Sequence, residues 1–131
     1  MKLLLDTHIW IWLLAEPDKL HRRVLTAVKK ADAELWLSPF SVWEVLLLAG
    51  AGKLSITEDR IAWVARALAA IPVREAPITM AVALESERLE LPHRDPADRF
   101  IAASARIHGL TLVTGDRRLL AAKGLAVLSN R

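Results

Sequence analysis

Four short, mostly apolar runs recur along this chain, at residues 2–5, 34–37, 111–114 and 125–128, and the stretches between them carry apolar residues at helical spacing. A strand with one wet face alternates polar and apolar residues, whereas a run that is apolar at successive positions is buried on both faces, as in a parallel sheet covered by helices. Parallel neighbours also need a crossover, and a helix is the usual one. The expected fold is therefore α/β: a three-layer α/β/α sandwich on a mainly parallel sheet of about four or five strands.

Punctuation between the runs places the helices. Asp6 stops the first run, and a Trp-rich helix is expected over residues 8–15, with a second beginning at Pro17 or Asp18 and reaching Ala31. Ser38-Pro39 stops the second run as a helix start does, with Ser as cap and Pro in the first position. That helix is expected to reach about Leu48 and to break at Gly50 and Gly52. Residues 58–71 set Ile61, Val64, Leu68 and Ile71 at helical spacing, and 72–74 read as a weak strand. Further helices are expected over 77–89, from Asp95-Pro96 to a left-handed terminator at Gly109, and over 116–122. The surplus of helices between the second and third strands suggests a helical protrusion, suited to dimerisation or to gripping a partner.

A chain of 131 residues fits a single domain spanning 1–131. With no cysteine, any bound metal must be held by oxygen or imidazole. The Leu3-Leu4-Leu5 run is cut by Asp6 and His8 before it can serve as a signal-peptide core, and no apolar run approaches the roughly 18 residues that span a bilayer. A cytoplasmic protein with no membrane partner is expected. The net charge of +3 favours an anionic partner such as a phosphate polymer. Its basic residues fall in scattered groups (Lys19, Arg22 and Arg23; Lys29 and Lys30; His93, Arg94 and Arg99; Arg117 and Arg118), which form a binding surface only if they share a face.

Ligands of open parallel sheets bind beyond the carboxyl ends of the strands. Asp6 ends the first run, Asp116 lies two residues beyond Thr114, Glu44 falls on the second turn of the helix after the second run, and Asp98 on the first turn of the helix begun at Asp95. All four can face one end of the sheet. Two carboxylates about 4 Å apart repel by roughly 4 kcal/mol at an effective dielectric near 20, so a convergent set takes up protons or recruits divalent cations. Hard oxygen donors suit Mg²⁺ or Mn²⁺. Such ions acidify water and stabilise the leaving oxygen of a phosphoryl displacement. Each acid also has a purely structural reading. Asp6 and Asp116 can cap helices, Ser41-Val42-Trp43-Glu44 fits a capping box, and Asp98 suits a helix dipole. Asp95, directly before proline, reads as a cap rather than a ligand. His8 reads as a structural residue, and Trp10, Trp12, Trp36, Trp43 and Trp63 as core or dimer contacts.

Leu4-Leu5-Asp6-Thr7, Ser38 to Glu44, Asp98-Arg99-Phe100-Ile101-Ala102-Ala103 and Thr114-Gly115-Asp116, in this order, resemble the motifs of the PIN-domain nucleases, and among them the VapC-type toxins of toxin–antitoxin pairs. The resemblance covers essentially the whole chain. It implies Mg²⁺- or Mn²⁺-dependent cleavage of an RNA substrate, a frequent homodimer, and inhibition by a cognate VapB-type antitoxin. By position, Asp6, Glu44 and Asp98 match the three central acids, Asp116 the more variable fourth, and Thr114 a supporting hydroxyl beside the site. Gly115 departs from the polar residue often found there. Two other classes differ in what they predict. A non-catalytic RNA-binding or regulatory protein would use the acids only as caps. A haloacid-dehalogenase-like phosphatase would carry a second Asp where His8 stands.

Overall fold

The computed structural model describes residues 1–92 and 95–131; His93 and Arg94, in one of the basic groups noted above, lie outside the described residues. Strands β1 (Lys2–Leu5), β2 (Glu34–Leu37), β3 (Arg74–Glu75), β4 (Thr111–Thr114) and β5 (Val127–Ser129) form one sheet in the order β3-β2-β1-β4-β5. Every neighbouring pair is parallel, with Leu4 opposite Trp36 on one side and Leu112 on the other. The helices are α1 (Thr7–Ala15), α2 (Arg22–Val28), α3 (Pro39–Gly50), α4 (Arg60–Ala70), α5 (Met80–Arg88), α6 (Pro96–His108) and α7 (Arg117–Leu120).

The two-residue period of β1 divides the core in two. Leu3 and Leu5 pack with Trp10, Val24, Val45 and Val64, from α1 to α4. Leu4 points the other way, to Val82, Ile101, Leu112 and Leu119. Parallel crossovers are right-handed, so the chain lays α1 to α4 on one face as it steps outward from β1 to β3, and α5 to α7 on the other as it returns past β1 to β4 and β5. The expected three-layer sandwich follows, with both faces of the sheet covered. Between β2 and β3, α4 returns to the core through Val64 and Ala67 while Ile61 and Leu68 stay exposed. Among the described residues, no helix is long and apolar enough to cross a membrane.

The structure departs from the expected boundaries where tertiary burial overrides local pattern. The second helix does not run from Pro17 to Ala31. Residues Pro17–Lys19 form a single 3₁₀ turn, and Leu20 is extended and inserted into the core, 5% exposed. The helix restarts at Arg22 behind His21, whose ring accepts the Arg23 N–H at 3.1 Å, and ends at Val28. Similarly, α5 starts at Met80 rather than Pro77, because buried Ala76 donates its N–H to Leu37 O at 2.8 Å and so prolongs the pairing of β2 with β3. Thr79 then caps α5 by accepting the Val82 N–H. The terminator at Gly109 is as expected, in the left-handed region at φ 65°.

Candidate functional site

In this strand order the chain first moves outward from β1 through β2 to β3, then resumes on the other side of β1 with β4. The reversal falls between β1 and β4, and a crevice opens beyond the carboxyl ends of strands at such a point. Asp6 sits there. Its N–H donates to Val113 O at 3.0 Å, which continues the β1–β4 ladder, and its side chain caps α1. One carboxylate oxygen, Oδ1, accepts the Thr7 N–H at 2.9 Å; the other, Oδ2, accepts the Thr114 hydroxyl at 2.7 Å. Thr114, fully buried at the end of β4, uses the same oxygen to accept the Asp116 N–H at 3.1 Å. A chain of hydrogen bonds thus runs from the Asp116 backbone through Thr114 to Asp6.

Glu44 joins this centre from α3. Its Oε1 lies 2.5 Å from Thr7 Oγ1, which in turn lies 2.9 Å from Ser41 Oγ. A hydroxyl carries one proton. Since an ionised Glu44 can only accept, the Thr7 proton goes to Glu44 and the Ser41 hydroxyl donates to Thr7. Thr7 therefore couples two acids, Asp6 through its backbone and Glu44 through its side chain. The capping-box reading of Ser41 and Glu44 is overturned: the cap of α3 is Ser38, whose Oγ accepts the Phe40 N–H at 3.0 Å, and Ser41 is buried against Thr7 instead.

Electrostatics tie the remaining acids to this pair. Burial pushes the Asp6 carboxyl above the ordinary carboxylate range; the hydrogen bonds from Thr114 and Thr7 and the charge of His8 oppose this, and Asp116 adds to it. Glu44 is also raised, by burial first, against the Thr7 hydrogen bond, with Asp6, Asp98 and Asp95 adding their charges. Asp98 is half-buried on the first turn of α6. Asp95 caps that helix as expected, accepting the Ala97 and Asp98 N–H groups at 3.0 and 3.3 Å.

Asp116 has a second engagement. It caps α7 by accepting the Arg118 N–H at 2.8 Å, and the Arg118 guanidinium reaches Oδ2 at 3.2 Å. That hydrogen bond, before any other cause, holds exposed Arg118 further toward its charged form. The capping readings of Asp6, Asp116 and the Asp95–Asp98 turn are thus correct as local statements, and do not compete with convergence, since each carboxylate has two oxygens. Among the described residues, no three His, Cys, Asp or Glu side chains are arranged to hold one metal ion. The acids share a field and a hydrogen-bond network rather than a closed cage.

Thr7 and Ser41 are site residues that sequence reasoning missed. Thr7 stands inside the Leu4-Leu5-Asp6-Thr7 motif, and Ser41 lies three residues before Glu44, hence on the same helix face; those two spacings were the available signals. His8 is exposed, with its ring 5.7 Å from that of Trp12. Trp10 is a core residue, fully buried, whereas Trp43 is 49% exposed.

Comparison with known proteins bears on the same residues. The PIN domain family pattern matches residues 3–125. Ribonuclease VapC22 of Mycobacterium tuberculosis is 38% identical over 117 residues, 88% of each chain. Among solved structures, VapBC2 from Rickettsia felis bound to a DNA fragment from their promoter superposes with a TM-score of 0.72 at 18% identity, covering 98% of both chains. VapBC-5 from Mycobacterium tuberculosis, a member of the VapBC family of toxin-antitoxin systems, gives a TM-score of 0.64 at 20% identity over 99% of this chain and 98% of that one. At those identities the two structures speak for the fold alone, but the family pattern spans all four acids, the 38% relative covers 88% of the chain, and the chain belongs to the PIN domain family.

Proposed function

We propose that this protein is a divalent-metal-dependent ribonuclease, the toxin of a VapBC-type pair. The observation that carries the proposal is Asp6 at the β1–β4 crevice, held by Thr114 and Thr7 and coupled through Thr7 to Glu44, with the charges of Asp98 and Asp116 directed on the same pair. Likeness to a protein named Ribonuclease VapC22 supports the reading.

The donor set fits Mg²⁺ or Mn²⁺. All the convergent donors are carboxylate oxygens, two of them raised by burial and mutual repulsion, and Mg²⁺ is typically held by one or two carboxylates with several waters kept. Asp6 and Glu44, coupled through Thr7, would hold the ion with several waters kept; Asp98, whose charge acts on Glu44, and Asp116, whose carboxylate Arg118 occupies, would act through those waters. When bound, the ion supplies the Lewis acidity that lowers the pKa of water and offsets charge on the phosphodiester. The protein's own residues do the rest. Thr114 fixes Asp6 Oδ2, Thr7 fixes Glu44, and the crevice brings the scissile phosphate to the end of the sheet where these acids meet.

Partners follow from the same reading. RNA is the substrate, and a VapB-type antitoxin is the protein partner, in keeping with the VapBC structures that share this fold. Exposed Trp43 and Leu47 on α3, with Met80 and Leu84 on α5, provide apolar surface for the expected homodimer. The decisive assay is hydrolysis of single-stranded RNA with Mg²⁺ or Mn²⁺, repeated with Asp6→Asn and Asp98→Asn. Cleavage that continues in excess chelator, or in both variants, would overturn the proposal.

A further inference from the structure

The hydrogen bonds around residues 128–131 connect the crevice to a second feature. The Asn130 N–H donates to Thr114 O at 2.9 Å, which carries β5 alongside the end of β4. Its side chain then bridges to the turn before α2, accepting the His21 N–H at 2.7 Å and donating to Lys19 O at 3.2 Å. Arg131 Nε donates to Gly115 O at 2.6 Å, one residue from Asp116. Thus Arg131 stands on the rim of the crevice, and Asn130 fastens that rim to the residue preceding Arg22.

From there a groove of about 550 Å³ follows α2 beside Leu128, lined by His21, Arg22, Arg23, Thr26 and Lys30. Arg22 and Thr26, like Arg23 and Ala27, are one helical turn apart, so the cations and the small residues form a stripe along the groove. Its floor includes Ala27 and Leu128, and its far end is closed by Met1, whose amino group faces Asp32 at 4.0 Å. Arg22, Arg23, Lys30 and Arg131 form no ion pair among the described residues, whereas Lys19 is paired with Glu16 and Arg118 with Asp116. Unpaired guanidinium groups are suited to phosphate oxygens.

We infer that Arg131, Arg22, Arg23 and Lys30 form a phosphate track that holds the single-stranded RNA flanking the scissile bond and leads it from the β1–β4 crevice along α2. The track rests on the ribonuclease reading for the identity of its polymer. Contacts of this kind are electrostatic and sequence-independent, so they set affinity for longer RNA and its salt dependence.

The test measures binding of a 12-nucleotide and a 4-nucleotide single-stranded RNA by fluorescence anisotropy between 50 and 200 mM salt, in excess chelator so that nothing is cut. Arg22→Ala, Arg23→Ala and Arg131→Ala combined should weaken the 12-mer by at least about tenfold at low salt. The same variant should flatten the slope of log affinity against log salt by about 2, at roughly 0.7 per lost single-strand phosphate contact. The corresponding Lys triple variant should restore most of both, which separates charge from a folding defect. Lys53→Ala with Lys123→Ala, exposed cations outside the groove, should leave the 12-mer unchanged. A triple Ala variant with wild-type affinity and slope would overturn the track, as would an equal loss for both RNA lengths. Because these readouts need no cleavage, failure of the ribonuclease proposal would show separately, as absence of metal-dependent hydrolysis by the wild-type protein.

Discussion

Thr114 Oγ1 lies 2.7 Å from Asp6 Oδ2, bridging β4 to β1 across 108 residues of sequence, and the same oxygen takes the Asp116 N–H. Its proton and a lone pair are both committed inside a buried site. Thr114→Val keeps the shape but leaves a carboxylate oxygen and an N–H without that partner, which should cost about 1–3 kcal/mol of stability. RNA cleavage should fall as well. Thr114→Ser should recover most of both, as read by chemical denaturation and by initial rates.

Thr7→Val should separate Glu44 from Asp6. The Thr7 backbone still serves Asp6, but the hydroxyl between Ser41 and Glu44 is gone. A double-mutant cycle with Glu44→Gln should give a coupling energy of about 0.5–3 kcal/mol in folding stability. The two changes should also be non-additive in cleavage rate. Additivity in both readouts would show that Thr7 does not position Glu44.

Asp6→Asn removes charge from a buried position while keeping an oxygen to accept one of its two hydrogen bonds. Relief of desolvation and loss of the second acceptor oppose each other, so stability without metal should change by no more than about 1 kcal/mol. Mn²⁺ should raise the Tm of the wild type but not of this variant, and RNA cleavage should fall at least about 100-fold. A variant that melts far lower yet still responds to Mn²⁺ would mark Asp6 as a cap only.

The raised carboxyls of Asp6 and Glu44 fix the sign of a pH effect. A group whose folded pKa exceeds its unfolded value binds more protons when folded, so its contribution is complete at low pH and is lost as pH rises through the folded pKa. The metal-free protein should therefore lose stability from these two groups as pH climbs out of the ordinary carboxylate range toward neutrality. Excess Mg²⁺ should restore it at neutral pH. Thermal melts across pH 4 to 8, with and without Mg²⁺ and repeated on Asp6→Asn, read the effect directly.

Asp95→Ala and Asp98→Ala should differ in kind. Asp95 accepts two N–H groups at the start of α6, and losing a cap typically costs about 0.5–2 kcal/mol. Asp98→Ala should instead cut RNA cleavage more deeply than Asp95→Ala while lowering Tm less. The reverse ordering would exchange the roles of the two acids.

Much of this architecture is written in short-range pattern. Strand runs, the Ser38 and Asp95 caps, the Gly109 terminator and the placing of Asp6 and Asp116 beyond strand ends each depend on residues within a turn or two, where periodicity and capping act. Boundaries failed where a distant surface intervened. Leu20 breaks the expected second helix because the core takes its side chain, and Ala76 delays α5 because Leu37 O takes its N–H.

By itself the sequence determined the α/β alternation, the helix starts and the set of acids that can reach one end of a parallel sheet. Only the tertiary structure decided which groups meet there. Putting β1 between β2 and β4 sets Thr7 against Glu44, 37 residues away, and sets Thr114 against Asp6. The physical reason is range. Backbone propensity and capping are satisfied within a few residues, whereas a hydrogen bond between side chains on different strands and helices exists only once strand order and crossover handedness have brought those elements together.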